Sequence, residues 1–149
     1  MKGITLLFLL GLALSSNYNP DNAIKYARTY CKNYNSKYYN YAKDGGDCAN
    51  FVSQCLKAGG LNLDDCAGWV DYYGCLPRVS DLQSCLKAKG WHSSNTMPRG
   101  FRGGYPIFLQ DGSHAMIATG VSGSTVIFCG HTNDRCDYTI SSGITYFYP

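Results

Sequence analysis

Eight cysteines in 149 residues, Cys31, Cys48, Cys55, Cys66, Cys75, Cys85, Cys129 and Cys136, constrain this chain more than any other feature. At that density cysteine forms a disulfide framework in an oxidising compartment, and a metal or redox set in a reducing one. The N-terminus chooses between the two. Met1-Lys2 is followed by an apolar run from Ile4 to Leu14 and a small-residue exit at Ala13-Leu14-Ser15, the pattern of a secretory signal peptide. We therefore expect a leader over residues 1–15 and one secreted, extracellular domain over 16–149, with no membrane span in the mature chain, since no other run nears the roughly 20 apolar residues a span needs. Four bridges are then the simplest expectation, against which any chemical role for a cysteine has to be weighed.

Charge excludes one class of partner. Loss of Lys2 takes the formal charge from +3 to 3 − 1 = +2, and the remaining Lys and Arg residues are scattered, so no nucleic-acid footprint is expected. Tyrosine is abundant, 13 residues with nine before Trp91; such a set serves a half-buried core or lines a peptide or sugar groove.

The apolar spacing changes character along the chain. Asn19-Pro20 can open a helix whose stripe is Ala23, Tyr26, Ala27 and Tyr30. Phe51, Val52, Cys55 and Leu56 predict a second helix from Cys48 to Gly59-Gly60. Leu61 to Pro77 has no period and reads as an irregular stapled excursion, after which Ser80 could cap a shorter helix with Leu82, Cys85 and Leu86, closed by Gly90. Beyond Gly104 the pattern turns to strands at Tyr105–Leu109, His114–Val121, Thr125–Cys129 and Ile144–Tyr148, separated by turn residues. Helices followed by an antiparallel meander give an α+β domain.

Gly45-Gly46-Asp47-Cys48 is where chemistry is expected. A thiol reacts as thiolate and needs a setting that favours the anion. With Asp47 as N-cap, Cys48 would sit in the first helical turn, where the helix dipole supplies such a setting; its own N–H could serve a developing oxyanion, and the glycines allow close approach of a substrate. If Cys48 and its helix neighbour Cys55 stay reduced, six cysteines remain for three bridges, with Cys129–Cys136 across the Thr132 turn the favoured pair.

The string from Gly45 to Leu56, GGDCANFVSQCL, resembles the nucleophile helix of the putative amidase domain family, itself related to the CHAP and NlpC-type cell-wall hydrolases. The similarity continues through Val79-Ser80-Asp81-Leu82, Tyr105-Pro106-Ile107-Phe108, Ser113 to Gly120 and Gly130-His131-Thr132-Asn133-Asp134. It implies a papain-like α+β fold, with the nucleophile at a helix N-terminus packed on a C-terminal antiparallel sheet. It also implies a Cys, His and third polar residue that hydrolyse amide bonds, often those of bacterial cell-wall (peptidoglycan) peptides, with no cofactor and no metal. Where many relatives have Gly-Asp, this chain has Gly104-Tyr105.

A nucleophilic cysteine needs an imidazole, and the imidazole a partner that fixes its tautomer. Of three histidines, His92 has no patterned context, whereas His114 opens a strand whose Met116 and Ala118 share its face. If the next hairpin turns on Ser122-Gly123, His131 falls opposite His114 and becomes the orienting group. A three-residue loop would put Thr132 there instead, turn His131 to the other face and make Asn133 the orienter. The expected site is thus Cys48 as nucleophile, His114 as base, and His131 or Asn133 as the third member. Two other classes stay open. One is a catalytically inactive module holding glycan or peptide on Trp69, Trp91 and the tyrosines; the other is a zinc site on Cys129, His131 and Cys136, which lacks the short paired spacings structural zinc uses.

Overall fold

The computed structural model describes residues 17–149; the expected leader lies outside the described residues. Among these residues three helices, α1 (Pro20–Tyr30), α2 (Cys48–Ala58) and α3 (Val79–Ala88), precede a sheet of six strands: β1 (His92–Ser94), β2 (Pro106–Leu109), β3 (Ala115–Ser122), β4 (Thr125–Gly130), β5 (Arg135–Ile140) and β6 (Ile144–Tyr148). All pairings are antiparallel, in the order β1-β6-β2-β3-β4-β5. The α+β class and strands β2, β3, β4 and β6 are as expected, whereas β1 and β5 are not.

Helix ends follow local chemistry, with one correction. The Asn19 side chain accepts from the N–H groups of Asp21 and Asn22 at 3.0 and 3.2 Å, satisfying two of the orphan donors at the start of α1. α2 stops where Gly60 takes a φ of +96°, a conformation that glycine adopts without steric cost. Helix α3 begins two residues earlier than a Ser80 cap would place it: Arg78 holds the cap position and Ser80 lies in the first turn.

Two layers of apolar side chains cover the two faces of the sheet. Ala115 and Ile117 of β3 join Phe108, Cys129 and Phe147 against Ala23, Ala27, Phe51, Val52, Leu56, Leu82 and Leu86 of the helices. Met116 and Ala118, pointing the other way, pack with Ile107, Val126, Phe128, Ile144 and Phe101. Residue 104 closes the crossing into β2: Gly104 has φ +92°, and a Cβ there would lie 2.4 Å from Pro20. The following Tyr105 packs edge-on against Trp91 and Phe101, so it serves packing between the layers.

Two bridges form, Cys31–Cys136 and Cys66–Cys85. The expected Cys129–Cys136 pair does not, because Cys136 is taken by Cys31 while Cys129 turns into the helix-side core. Closing a separation of 105 residues removes on the order of 4–5 kcal/mol of unfolded-chain entropy in the loop-closure account. Cys48, Cys55, Cys75 and Cys129 are free, and only Cys48 is more than marginally accessible. Burial raises the Cys55 and Cys129 thiols and pushes Cys75 up to about 12. Alkylation without reduction is therefore expected to label one cysteine in the folded protein and four once it is unfolded, counted by intact mass; a second label on the folded chain would contradict this packing.

Candidate active site

Cys48 stands at the first position of α2 on the wall of a cleft of about 520 Å³ lined by Tyr41, Asp44, Gly45, Gly46, Trp69 and Arg78, among others. Gly45 and Gly46 carry φ values of +98° and +107°, and Gly46 N–H donates to the Tyr41 carbonyl at 3.0 Å. This tight turn delivers the chain into α2 and keeps the cleft wall free of side chains beside the sulfur.

Asp47 holds the N-cap position of α2, but its side chain makes no cap hydrogen bond. The carboxylate turns inward and is fully buried. Its Oδ1 accepts from the Tyr41 N–H and from Asn50 Nδ2, both at 2.9 Å, and its Oδ2 pairs with His131 Nδ1 at 2.5 Å. The expected side-chain cap is thus replaced by a buried partner 84 residues away. Cys48 keeps its place in the first turn, where the exposed N–H groups and the dipole favour an anion.

His131 does not face His114. Its Nε2 lies 2.8 Å from the Tyr30 carbonyl, which can only accept, so that nitrogen carries a proton and donates it. The other nitrogen is held by Asp47, and the ring is stacked between Tyr34 at 4.1 Å and Phe51 at 3.9 Å. The register explains this placement. Ser122 pairs with Thr125, so the hairpin turns on Gly123-Ser124, and an irregularity between Ala118 and Gly120 brings the pairing to Ile117↔Cys129. Carried on, that register sets Thr132 across from His114, and alternation sends His131 to the helix side. The zinc set is not assembled either, since Cys136 is bridged and both His131 nitrogens are engaged.

His114 is half-buried at the start of β3, and its Nε2 lies 3.7 Å from where a Cβ on Gly130 would stand, beside Met116. It therefore belongs to the Met116 face, in a depression lined also by Ser113, Phe128, Thr132, Asn133 and Arg135. Burial first, and the Arg135 charge second, hold its pKa below the ordinary 6.5. The ring is thereby favoured in its neutral, proton-accepting form.

Of the expected residues, the structure brings His114 and Asn133 into one depression and puts Cys48 in the next. Ser113 lines both. Thr132 binds the two together from the other side: its hydroxyl accepts from the Asp47 N–H at 3.2 Å while its side chain helps line the His114 depression. Thr132, Asn133 and Asp134 have φ values of +60°, +101° and +43°, an unfavourable run for residues other than glycine. It is held by the Asp47 contact and by Tyr34, whose hydroxyl donates to Asp134 at 2.8 Å. Asp47 is the member of this region that residue-type reasoning misplaced, and no spacing in the sequence links it to His131.

A family described as a putative amidase domain matches residues 17–105. The match takes in the three helices and Cys48 and ends before β2, so His114, His131 and Asn133 lie beyond it. No match was found among curated proteins or among solved structures. With more than half of its residues inside that match, the chain belongs to the putative amidase domain family.

Proposed function

We propose that this protein is a secreted, papain-like cysteine hydrolase of amide bonds, with a signal peptide over residues 1–15, a catalytic domain over 16–149 and bacterial cell-wall peptides as substrate. The observation that carries the reading is the contrast among its thiols. Three free cysteines are buried, whereas Cys48 alone opens onto a cleft from the first turn of a helix. Disulfides and the lack of a long apolar helix among the described residues accord with an extracellular setting.

In this mechanism Cys48 Sγ attacks the amide carbonyl as its proton passes to neutral His114, whose depression shares the Ser113 wall with the Cys48 cleft. The Cys48 N–H donates to the oxyanion. The imidazolium then protonates the departing amine, and water activated by the same ring hydrolyses the thioester. Asn133, on the wall of the His114 depression, orients the ring. His131 acts at a distance by holding Asp47, and with it the start of α2.

Incubation with purified bacterial sacculi, followed by mass identification of released fragments, tests the substrate. Fragments with newly freed amine and carboxyl ends are expected from the parent and none from Cys48→Ala; fragments released equally by both would remove Cys48 from the reaction. The acidic limb of kcat/KM is expected below pH 6.5, because the folded ring binds its proton more weakly than the unfolded one. Arg135→Gln removes one of the two causes and should move that limb upward. An unmoved limb would show that His114 does not set it.

A further inference from the structure

We propose that the cleft beside Cys48 contains a recognition subsite for a carboxylate, built from Arg78 and Trp69, so that the preferred substrates are amides with a free carboxylate next to the scissile bond. This rests on Cys48 being the nucleophile, and it adds the substrate class. Arg78 and Asp44 are the two charged side chains on the cleft wall. Asp44 is engaged, accepting from the Tyr39 hydroxyl at 2.6 Å. Two further carboxylates nearby are also occupied by neutral donors: Asp71 by the Tyr41 hydroxyl at 2.9 Å and Asp81 by the Trp69 N–H at 3.1 Å.

Arg78 is differently placed. Its guanidinium lies over the Trp69 ring at 5.2 Å, and among the described residues no carboxylate is within ion-pairing distance of it. Contact with the indole face leaves the N–H fork of this exposed side chain free for a bidentate acceptor.

The platform is itself held rigid. Trp69 meets Tyr41 edge-on at 5.8 Å, and the Cys66–Cys85 bridge ties the excursion that carries it to α3. Trp69 nevertheless keeps 43% of its surface exposed, enough to receive an alkyl chain or sugar ring adjoining the carboxylate. A guanidinium already resting on an aromatic face loses less conformational freedom on binding than one free in solvent, which favours discrimination by charge.

Two thiol reagents of similar size read the subsite without a known substrate. Iodoacetate and iodoacetamide both alkylate Cys48, the thiolate forming an S–C bond as iodide leaves, but only iodoacetate carries a carboxylate. The ratio of their rate constants on the folded, bridged protein is expected to fall at least threefold in Arg78→Ala and to be partly kept in Arg78→Lys. Salt should lower the parent's ratio and leave the alanine variant's nearly unchanged. A ratio unaffected by Arg78→Ala overturns the subsite.

If Cys48 reacts with neither reagent, the nucleophile reading fails by itself. The subsite is then decided on Cys48→Ala by tryptophan fluorescence titrated with N-acetylglutamate and N-acetylglutamine. Saturable quenching by the first alone, lost in Arg78→Ala, upholds it; equal responses to both overturn it.

Discussion

His114→Ala is expected to lower kcat/KM for amide hydrolysis by at least about 10³-fold, in the upper range for loss of a general base, with the melting temperature within a few degrees of the parent. The two halves of that expectation come from different features. The ring is half-buried beside Gly130 and Met116, so its removal takes away limited packing. Burial and Arg135 hold the ring's pKa below the ordinary 6.5 and so favour the neutral form, the one able to accept the thiol proton. Alkylation of Cys48 separates base from nucleophile, because the variant's thiol remains in the first turn of α2 and should still be labelled, though more slowly. Hydrolysis at the parent rate by His114→Ala would end the assignment of His114 as base. It would also show that the depression across Ser113 takes no part in the reaction.

The second large effect falls on stability. His131→Ala leaves the Asp47 carboxylate buried without its partner and opens a gap between Tyr34 and Phe51. Breaking one side of a buried pair costs roughly 3–5 kcal/mol, which for a domain of this size lowers the melting temperature by about 10 °C or more. Asp47→Asn keeps an oxygen able to face His131 and should cost less, and the difference between the two variants isolates charge from shape. Loss of activity is expected in His131→Ala with the start of α2 disordered, which hydrogen exchange of residues 48–51 would report. A melting temperature unchanged from the parent would show that the buried pair does not hold the helix.

How far the chain could be read from its residues differed between helix, strand and site. α1 and α2 were legible because a 3.6-residue apolar spacing and their end residues agree. β5 was hidden: Arg135, Asp137, Tyr138 and Thr139 are exposed at the sheet edge, and an edge strand with so little buried surface lacks the alternation that betrays a strand. β1 has three residues and no apolar member. Cys48 and its helix could be found from sequence because an N-terminal turn is a local feature. The partner of His131 could not, because it depends on a one-residue irregularity between Ala118 and Gly120; a slip of one reverses every side chain beyond it. The bridges failed for a related reason, since Cys31 and Cys136 meet only once α1 lies beside β5, and nothing in the spacing of the cysteines encodes that meeting.

The Asp47–His131 contact has a bearing on the order in which the protein is made. The aspartate at the start of α2 has its own neighbours early, in Tyr41 and Asn50, but its imidazole partner is synthesised 84 residues later. A nascent chain that has emerged only as far as α3 therefore carries the sulfur without the lock beneath it. The cleft reaches its final form only after residue 131 has been synthesised, so the thiol acquires its finished surroundings late, when almost the whole polypeptide has been made.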